Sequence, residues 1–342
     1  MPIRQRWCSR PAPACVERVK GTSGKTRNFT MTEKLVLGSA QFGLVYGRTN
    51  TTGLLPTSKV AEIIKFAADN GVKNLDTARA YGVAEERVGE IFNGDQKIKD
   101  SVAIITKLAP FDNIDLASVN SINPAILSGM VDGSVFRSCR ELKRHSLQTL
   151  CLHRCSHLDS PVWSRLLQLQ DEGVIEKLGV SVQNVEECTR ALKNKDVKHI
   201  QLPVNLIDWR WRTQEFLELC SSRQDVTIHC RGSLLQGILV NDSDVWPKID
   251  GVDAVNMVKT LDEFVQKFEL KNKLALCFGF VLSLPYVDGL VLGVDNLKQI
   301  EENIEMFKSA SLTEDQRNEI SQAFSIDNVP EQLLDPAQWP KK

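Results

Sequence analysis

Asp76, Tyr81, Lys107 and His153 are the residues of this 342-residue chain whose types and order could do chemistry. A tyrosine phenol ordinarily keeps its proton to about pH 10, so it serves as an acid near neutrality only where a cation stabilises the phenolate. Lys107 could be that cation, Asp76 could anchor its ammonium, and His153 could orient a carbonyl or relay a proton. Proton transfer to a carbonyl oxygen is the chemistry such a set suits. Asp76 and Tyr81 share one stretch, Leu75-Asp76-Thr77-Ala78-Arg79-Ala80-Tyr81-Gly82, while Lys107 and His153 close two later apolar runs. Taken singly, each has an ordinary reading as a packing tyrosine, a solvated lysine or a core histidine.

The four acquire meaning only if the backbone gathers them. From residue 35 onward, short β-rich runs alternate with amphipathic segments, the pattern of parallel strands joined by crossover helices. Eight strands are expected, over Leu35–Ala40, Asn74–Thr77, Val102–Leu108, Thr149–His153, Lys177–Val182, His199–Val204, Thr227–Ser233 and Gly289–Val294. Most are continuously apolar, as strands covered by helices should be. Val60, Ile63, Ile64 and Ala67 share a helical face, with Thr57 or Ser58 as cap and Gly71 beyond the end. Ser160-Pro161 opens a helix that Gly173 closes, with Val162, Trp163, Leu166 and Leu167 on its buried side. Asn184, with Glu187 three residues on, has the form of a capping box. Eight such units make a single-domain (β/α)8 TIM barrel over residues 35–325, preceded by a basic, unstructured extension at 1–34 and followed by a tail at 326–342. Active sites of such barrels lie at the C-terminal strand ends, which is where all four residues fall.

Asp76, Tyr81, Lys107 and His153, in this order, resemble the catalytic set of the aldo-keto reductases, and the resemblance extends over roughly residues 35–310. It implies NAD(P)H-dependent, reversible reduction of an aldehyde, ketone or sugar carbonyl, with Tyr81 as general acid. Leu37-Gly38-Ser39-Ala40-Gln41-Phe42-Gly43 resembles the first strand and loop of these enzymes, placing Gly38 and Ser39 against the nicotinamide. Ser181 and Gln201 match the two residues that bind the carboxamide, although Val182 stands where many relatives have Asn. Where many relatives stack a tyrosine on the nicotinamide, His229-Cys230-Arg231-Gly232-Ser233 offers Arg231, whose planar cation could stack, or clamp a substrate carboxylate or the pyrophosphate. Gly232 and Leu235-Gln236-Gly237 resemble the stretch that wraps the pyrophosphate, and Gly293, Asn296, Gln299, Glu302 and Asn303 the adenosine end. Relatives with a strong preference for the phosphorylated cofactor carry cations where Gly293 and Gln299 stand here, so NADP(H) is expected to be favoured over NAD(H) only modestly.

Other motifs compete. Cys151, His153, Cys155 and His157 alternate, and in an extended segment all four would face one side as candidate zinc ligands. A metal-dependent hydrolase or isomerase on the same barrel is therefore one alternative, although an extended run cannot wrap a tetrahedral ion. A cofactor-binding regulatory protein with weak turnover is another. Gly38 and Gly43 have the spacing of a phosphate loop, but Leu44 follows where that motif requires Lys.

Charge narrows the partners. Residues 1–30 carry seven Lys/Arg against Glu17 alone, so with a net charge of −1 the remainder is acidic. An acidic body without a basic stripe argues against nucleic acid, and no apolar run approaches the length of a membrane span. Nine cysteines without a C-x-x-C pair read as reduced thiols, which fits a cytoplasmic protein; the basic start also leaves organelle transit open, or Met31 as the true start. A small-molecule carbonyl substrate remains as the partner, with Phe42, Tyr46, Trp209, Trp211, Trp246 and Trp339 as candidate pocket walls.

Overall fold

Each of the eight apolar runs forms a parallel strand: β1 Leu35–Gly38, β2 Asn74–Asp76, β3 Ala103–Lys107, β4 Thr149–Leu152, β5 Leu178–Ser181, β6 His199–Pro203, β7 Thr227–Arg231 and β8 Gly289–Gly293. In this computed structural model, residues 30–46, 53–109, 121–309 and 311–340 are described. The expected basic leader lies outside the described residues except at its end, where Thr32–Lys34 form a 3-10 turn leading into β1. The strands pair in chain order and β8 returns to β1, closing a (β/α)8 barrel, with Gly38 opposite both Asp76 and Gly293.

Observed strands are shorter than expected, mostly at their C-terminal ends. Ala40, Thr77, Leu108, His153, Val182, Val204, Gly232, Ser233 and Val294 have left the ladder, and Ala40 begins a short helix, Ala40–Gly43. Continuous hydrophobicity marks burial, and the chain stays buried for a residue or two after it has turned away from its neighbours.

Helices cover the outside because each presents one apolar stripe. Helix Thr57–Asp69 buries Val60, Ile63, Ile64 and Ala67, and Gly71 follows at φ +91°. Thr57 or Ser58 as cap is corrected: both lie within the helical turn, and Pro56 precedes it with its carbonyl accepting from Lys59 and Val60. Helix Pro161–Asp171 opens on Ser160, whose hydroxyl accepts from the Val162 N–H, and it buries Leu169 rather than Leu167. At helix Val185–Lys193 the Asn184 side chain accepts from the Glu187 N–H, while Glu187 reaches back to the N–H of Gln183, one residue beyond the reciprocal box.

Beyond residue 325, two 3-10 turns, Glu331–Leu334 and Pro336–Gln338, fold back on the barrel, and Trp209 Nε1 donates to Val329 O at 3.1 Å. No helix among the described residues is long and apolar enough to cross a membrane.

Candidate active site

Inside the barrel Val36, Ile105 and Cys151 pack together with Val291. Alternate residues of a strand share a face, so those two positions further along, Gly38, Lys107, His153 and Gly293, stand on the same inner side nearer the C-terminal mouth. Asp76 lies beside Gly38 in register, Ser181 beside Gln201, and Arg231 beside Pro203.

Lys107 is fully enclosed, and its Nζ lies 2.7 and 2.8 Å from the two Asp76 oxygens, 3.0 Å from Thr77 O and 3.5 Å from the Tyr81 hydroxyl. The ammonium also sits 5.1 Å from the centre of the Tyr81 ring, and the His153 ring meets that ring edge-on at 6.1 Å. Residues separated by up to 77 positions are thus within one site, as expected from their strand ends.

Backbone packing fixes where Tyr81 points. Gly82 has φ +55°, and a Cβ there would lie 2.3 Å from Gly43 O; a Cβ on Gly43 would lie 1.8 Å from Tyr81 O. The loops after β1 and β2 therefore touch main chain to main chain, which only glycine permits. Arg87 reinforces this contact by donating to Phe42 O and Leu55 O, while the Arg79 N–H donates to Lys107 O.

Glu85 was not singled out from the sequence. Only 1% exposed, it accepts from Arg79 of the tyrosine loop, from Thr106 Oγ1 of β3 at 2.6 Å and from Ser138 Oγ of helix Pro124–Glu141 at 3.2 Å. It pins the loop carrying Tyr81 to the strand carrying Lys107. Its setting in Ala-Glu-Glu-Arg reads as a solvated helix start, and no local signal separates it from Glu86.

Electrostatics differ from the simple expectation that Lys107 lowers the tyrosine. Burial raises the Tyr81 pKa above its usual value; Lys107 pulls it down and Asp76 pushes it back up. A lysine paired with a carboxylate presents little net charge to a third group, so the phenol stays protonated. For Lys107, burial disfavours the charge, but Asp76 and Tyr81 together raise its pKa, leaving an ammonium. Burial, with the charges of Lys107, Arg154 and Arg231, pushes His153 down to about 3, so it is a neutral imidazole, and its Nδ1 is buried without a partner among the described residues.

Around this centre, several polar atoms await partners. Ser39 Oγ after β1 and Ser233 Oγ after β7 are buried and unpaired among the described residues. Gln201 Nε2 donates to Asp76 Oδ1 at 2.8 Å, which places the side chain on the lysine–aspartate pair in addition to its expected station beside Ser181. Arg231 Nη2 donates to Val182 O and Gln183 Oε1, both at 3.0 Å. Past it, Gly232, Leu235, Gln236 and Gly237 all have positive φ, and left-handed conformations at Leu and Gln cost on the order of 1 kcal/mol each. Along the stretch expected to meet adenosine, Asn296 Oδ1 accepts from Gln299 N and Gln299 Oε1 from Asp295 N, so both side chains cap helix Leu297–Ser309. Gly293 is overlain by the Gln41 side chain, and exposed Glu302 stands 3.6 Å from Lys298 while Asn303 is half-buried.

Most of the expected aromatic walls are corrected. Phe42, Trp211, Trp246 and Trp339 are core residues, and Trp209 holds the tail; Tyr46 alone of the six is exposed. Large rings following a strand are drawn under loops because they bury the most area. The extended Cys/His run is also corrected: Cys151 is in β4, but Cys155 and His157 lie in the 3-10 turn Cys155–Asp159, so alternation ends at the strand. Among the described residues no group of three or more His, Cys, Asp or Glu is placed to hold a metal.

A barrel with a buried lysine–aspartate pair beneath a tyrosine and a neutral histidine defines a class of protein that handles protons at a polar substrate. The model of the aldo/keto reductase family matches residues 34–324, and the chain belongs to this family of carbonyl-reducing oxidoreductases. It is 23% identical over 275 residues to an uncharacterized oxidoreductase, YqkF, of Bacillus subtilis (strain 168), covering 76% of this chain and 85% of that protein. Among solved structures it is similar to an aldo-keto reductase from Bacillus halodurans in its holo form, with a TM-score of 0.66, 20% identity and coverage of 88% and 95% of the two chains. The glycerol dehydrogenase from Gluconobacter oxydans gives 0.65, with 21% identity and 87% and 92% coverage. At these identities the structural likeness bears on the fold.

Proposed function

We propose that this protein reduces an aldehyde, ketone or sugar carbonyl to an alcohol, reversibly, with a nicotinamide dinucleotide, and that Tyr81 is the general acid. The observation carrying this reading is Lys107 Nζ held between Asp76, at 2.7 Å, and the Tyr81 hydroxyl, at 3.5 Å. Bound reduced nicotinamide supplies the hydride. Tyr81 gives its proton to the carbonyl oxygen as the carbon is reduced, and the Lys107 ammonium stabilises the phenolate left behind. Asp76 keeps the ammonium in place. Neutral His153 has one ring N–H with which to hold the substrate oxygen beside Tyr81.

The residues fit the dinucleotide. Ser181 and the Gln201 carbonyl, which accepts nothing from the described residues, match the acceptor and donor of a carboxamide. The unpaired Ser39 hydroxyl belongs to the stretch expected against the nicotinamide, and the unpaired Ser233 hydroxyl and the left-handed run at 235–237 belong to the stretch expected to wrap the pyrophosphate. We read NADP(H) as modestly favoured over NAD(H), and the cytoplasm as the location.

Consumption of NADPH and NADH against a panel of aldehydes and ketones tests the reading. Dinucleotide binding without turnover of any carbonyl would instead indicate the cofactor-binding regulatory alternative.

A further inference from the structure

We propose that the substrate is a carboxylate-bearing carbonyl compound whose anionic group is taken up between Arg231 and Arg154 at the barrel mouth, an inference that rests on the carbonyl-reducing reading above.

Arginines set into this protein as deeply as Arg231 usually meet a carboxylate: Arg79 meets Glu85, Arg165 Asp132, Arg210 Asp208 and Arg223 Asp225. Arg144 and Arg212 do without one but stand over the rings of Phe92 and Phe280, and Arg87 does without one but spends Nη1 on two backbone carbonyls that tie loops together. Arg231 has neither. Its Nη2 is fixed on Val182 O and Gln183 Oε1, both uncharged, and Nε and Nη1 donate to nothing among the described residues. A guanidinium has five N–H donors in a rigid fork matched to a carboxylate, so a held guanidinium with one edge unspent is prepared for an anion.

Arg154 is exposed, follows His153 directly and has no ion pair or hydrogen bond among the described residues. Both arginines act on His153, whose ring lies edge-on to Tyr81, so both charges bear on the reacting end. Among the described residues, Asp76 is engaged by Lys107 and Glu85 by Arg79, so neither is free to cancel these charges. Two guanidinium charges thus stand near the reacting residues, an arrangement that concentrates anions there.

The dinucleotide phosphates do not account for Arg154. Residues 232–237 and 293–303 follow β7 and β8, whereas Arg154 leaves β4, the strand opposite β8 in the eight-stranded ring. An occupant reached from both sides lies over Tyr81 and His153, where the carbonyl must be.

The test compares 4-carboxybenzaldehyde with its uncharged counterpart, 4-carbamoylbenzaldehyde, using NADPH. The carboxamide is the more electron-withdrawing group, so preference for the carboxylate runs against intrinsic reactivity. We expect kcat/KM to favour the carboxylate about tenfold or more, the preference to shrink as salt is raised, and Arg154→Gln to bring the ratio toward one through KM. Equal or lower kcat/KM for the carboxylate, or full preference in Arg154→Gln, overturns the proposal while leaving the reductase reading intact. If neither aldehyde is turned over, calorimetric titration with 4-carbamoylbenzoate decides for the anion site separately from the reductase reading: weakening by about tenfold in Arg154→Gln supports it, and absence of binding, or equal binding by both proteins, overturns it.

Discussion

Gln201 Nε2 and Lys107 Nζ donate to the same oxygen of Asp76, Oδ1, at 2.8 and 2.7 Å. The carboxylate that anchors the Lys107 ammonium is thus itself anchored from β6, across the barrel from β2. Replacing Gln201 by Leu removes one donor from a buried carboxylate, a loss of about 1–3 kcal/mol. We expect the melting temperature to fall by several degrees and kcat to fall about five- to tenfold, with a further loss of dinucleotide affinity. Gln201→Glu, which sets two carboxylates together, should be worse than Leu; equal stability of wild type and Gln201→Leu would remove the residue from this network.

Tyr81→Phe deletes only the hydroxyl. Turnover should fall by about a hundredfold or more, while dinucleotide affinity stays within about threefold. Lys107→Met should also be severe, because the phenolate loses its stabilising charge and Asp76 is left buried without its ion pair. A Tyr81→Phe protein reducing aldehydes at the wild-type rate would exclude this tyrosine as the acid.

Glu85 supplies a third prediction, on positioning rather than chemistry. Glu85→Ala strands Arg79, Thr106 and Ser138, and breaking a buried pair by removing one partner costs about 3–5 kcal/mol. Glu85→Gln keeps two hydrogen-bonding atoms and should recover part of that stability. Its kcat should remain lower than wild type with KM for the dinucleotide little changed, since what loosens is the Tyr81 loop. Undiminished melting in Glu85→Ala would show the network to be dispensable.

Burial governs the acid response. It pushes His153 and His229 down to about 3 and His199 well below its usual value, so all three are neutral in the folded protein. The unfolded chain takes up these protons below about pH 6.5, and stability, complete above that value, should decline as pH falls toward about 3. Each histidine contributes up to about 1.4 kcal/mol per pH unit in that window. Chemical denaturation at several pH values would measure the slope, and His229→Asn should flatten it. Turnover should show no acid limb between about pH 5 and 8, because neither His153 nor Tyr81 titrates there, and should decline only as the raised Tyr81 pKa is approached. A kcat limb near pH 6.5 would contradict the neutral His153.

Strand order and the placement of Asp76, Lys107 and His153 were legible because inward positions recur every second residue and the mouth lies at each strand's end. Glu85 was hidden because its partners come from Arg79, Thr106 and Ser138, on three separate segments, and no local periodicity encodes such a meeting. The net electrostatic effect on Tyr81 was hidden for a related reason: Lys107 looks like an isolated cation in the sequence, whereas the fold pairs it with Asp76 and buries the phenol beside both. Trp211 was misplaced because a ring close after a strand reads equally as pocket wall or core, and Trp339 because a ring in the tail reads equally as a wall of the pocket or as an anchor to the barrel.

We expect cofactor preference to turn on helix Leu297–Ser309. Strong selection of a 2′-phosphate needs cations, and here Gly293 has no side chain while Gln299 is engaged in capping with Asn296. What remains is the positive end of the helix dipole and Lys298, held only loosely at 3.6 Å from exposed Glu302. Asp295 opposes a dianion, and burial raises its pKa. Each charge-assisted hydrogen bond is worth about 1.5–3 kcal/mol, so one formed by Lys298 gives NADPH an advantage of about tenfold to a hundredfold over NADH. Lys298→Ala should remove most of this advantage, and Glu302→Gln, which frees the lysine, should increase it. Dissociation constants measured at fixed ionic strength decide the matter. An NADH preference in the wild type, or a ratio untouched by Lys298→Ala, would mean that another part of the chain reads the phosphate.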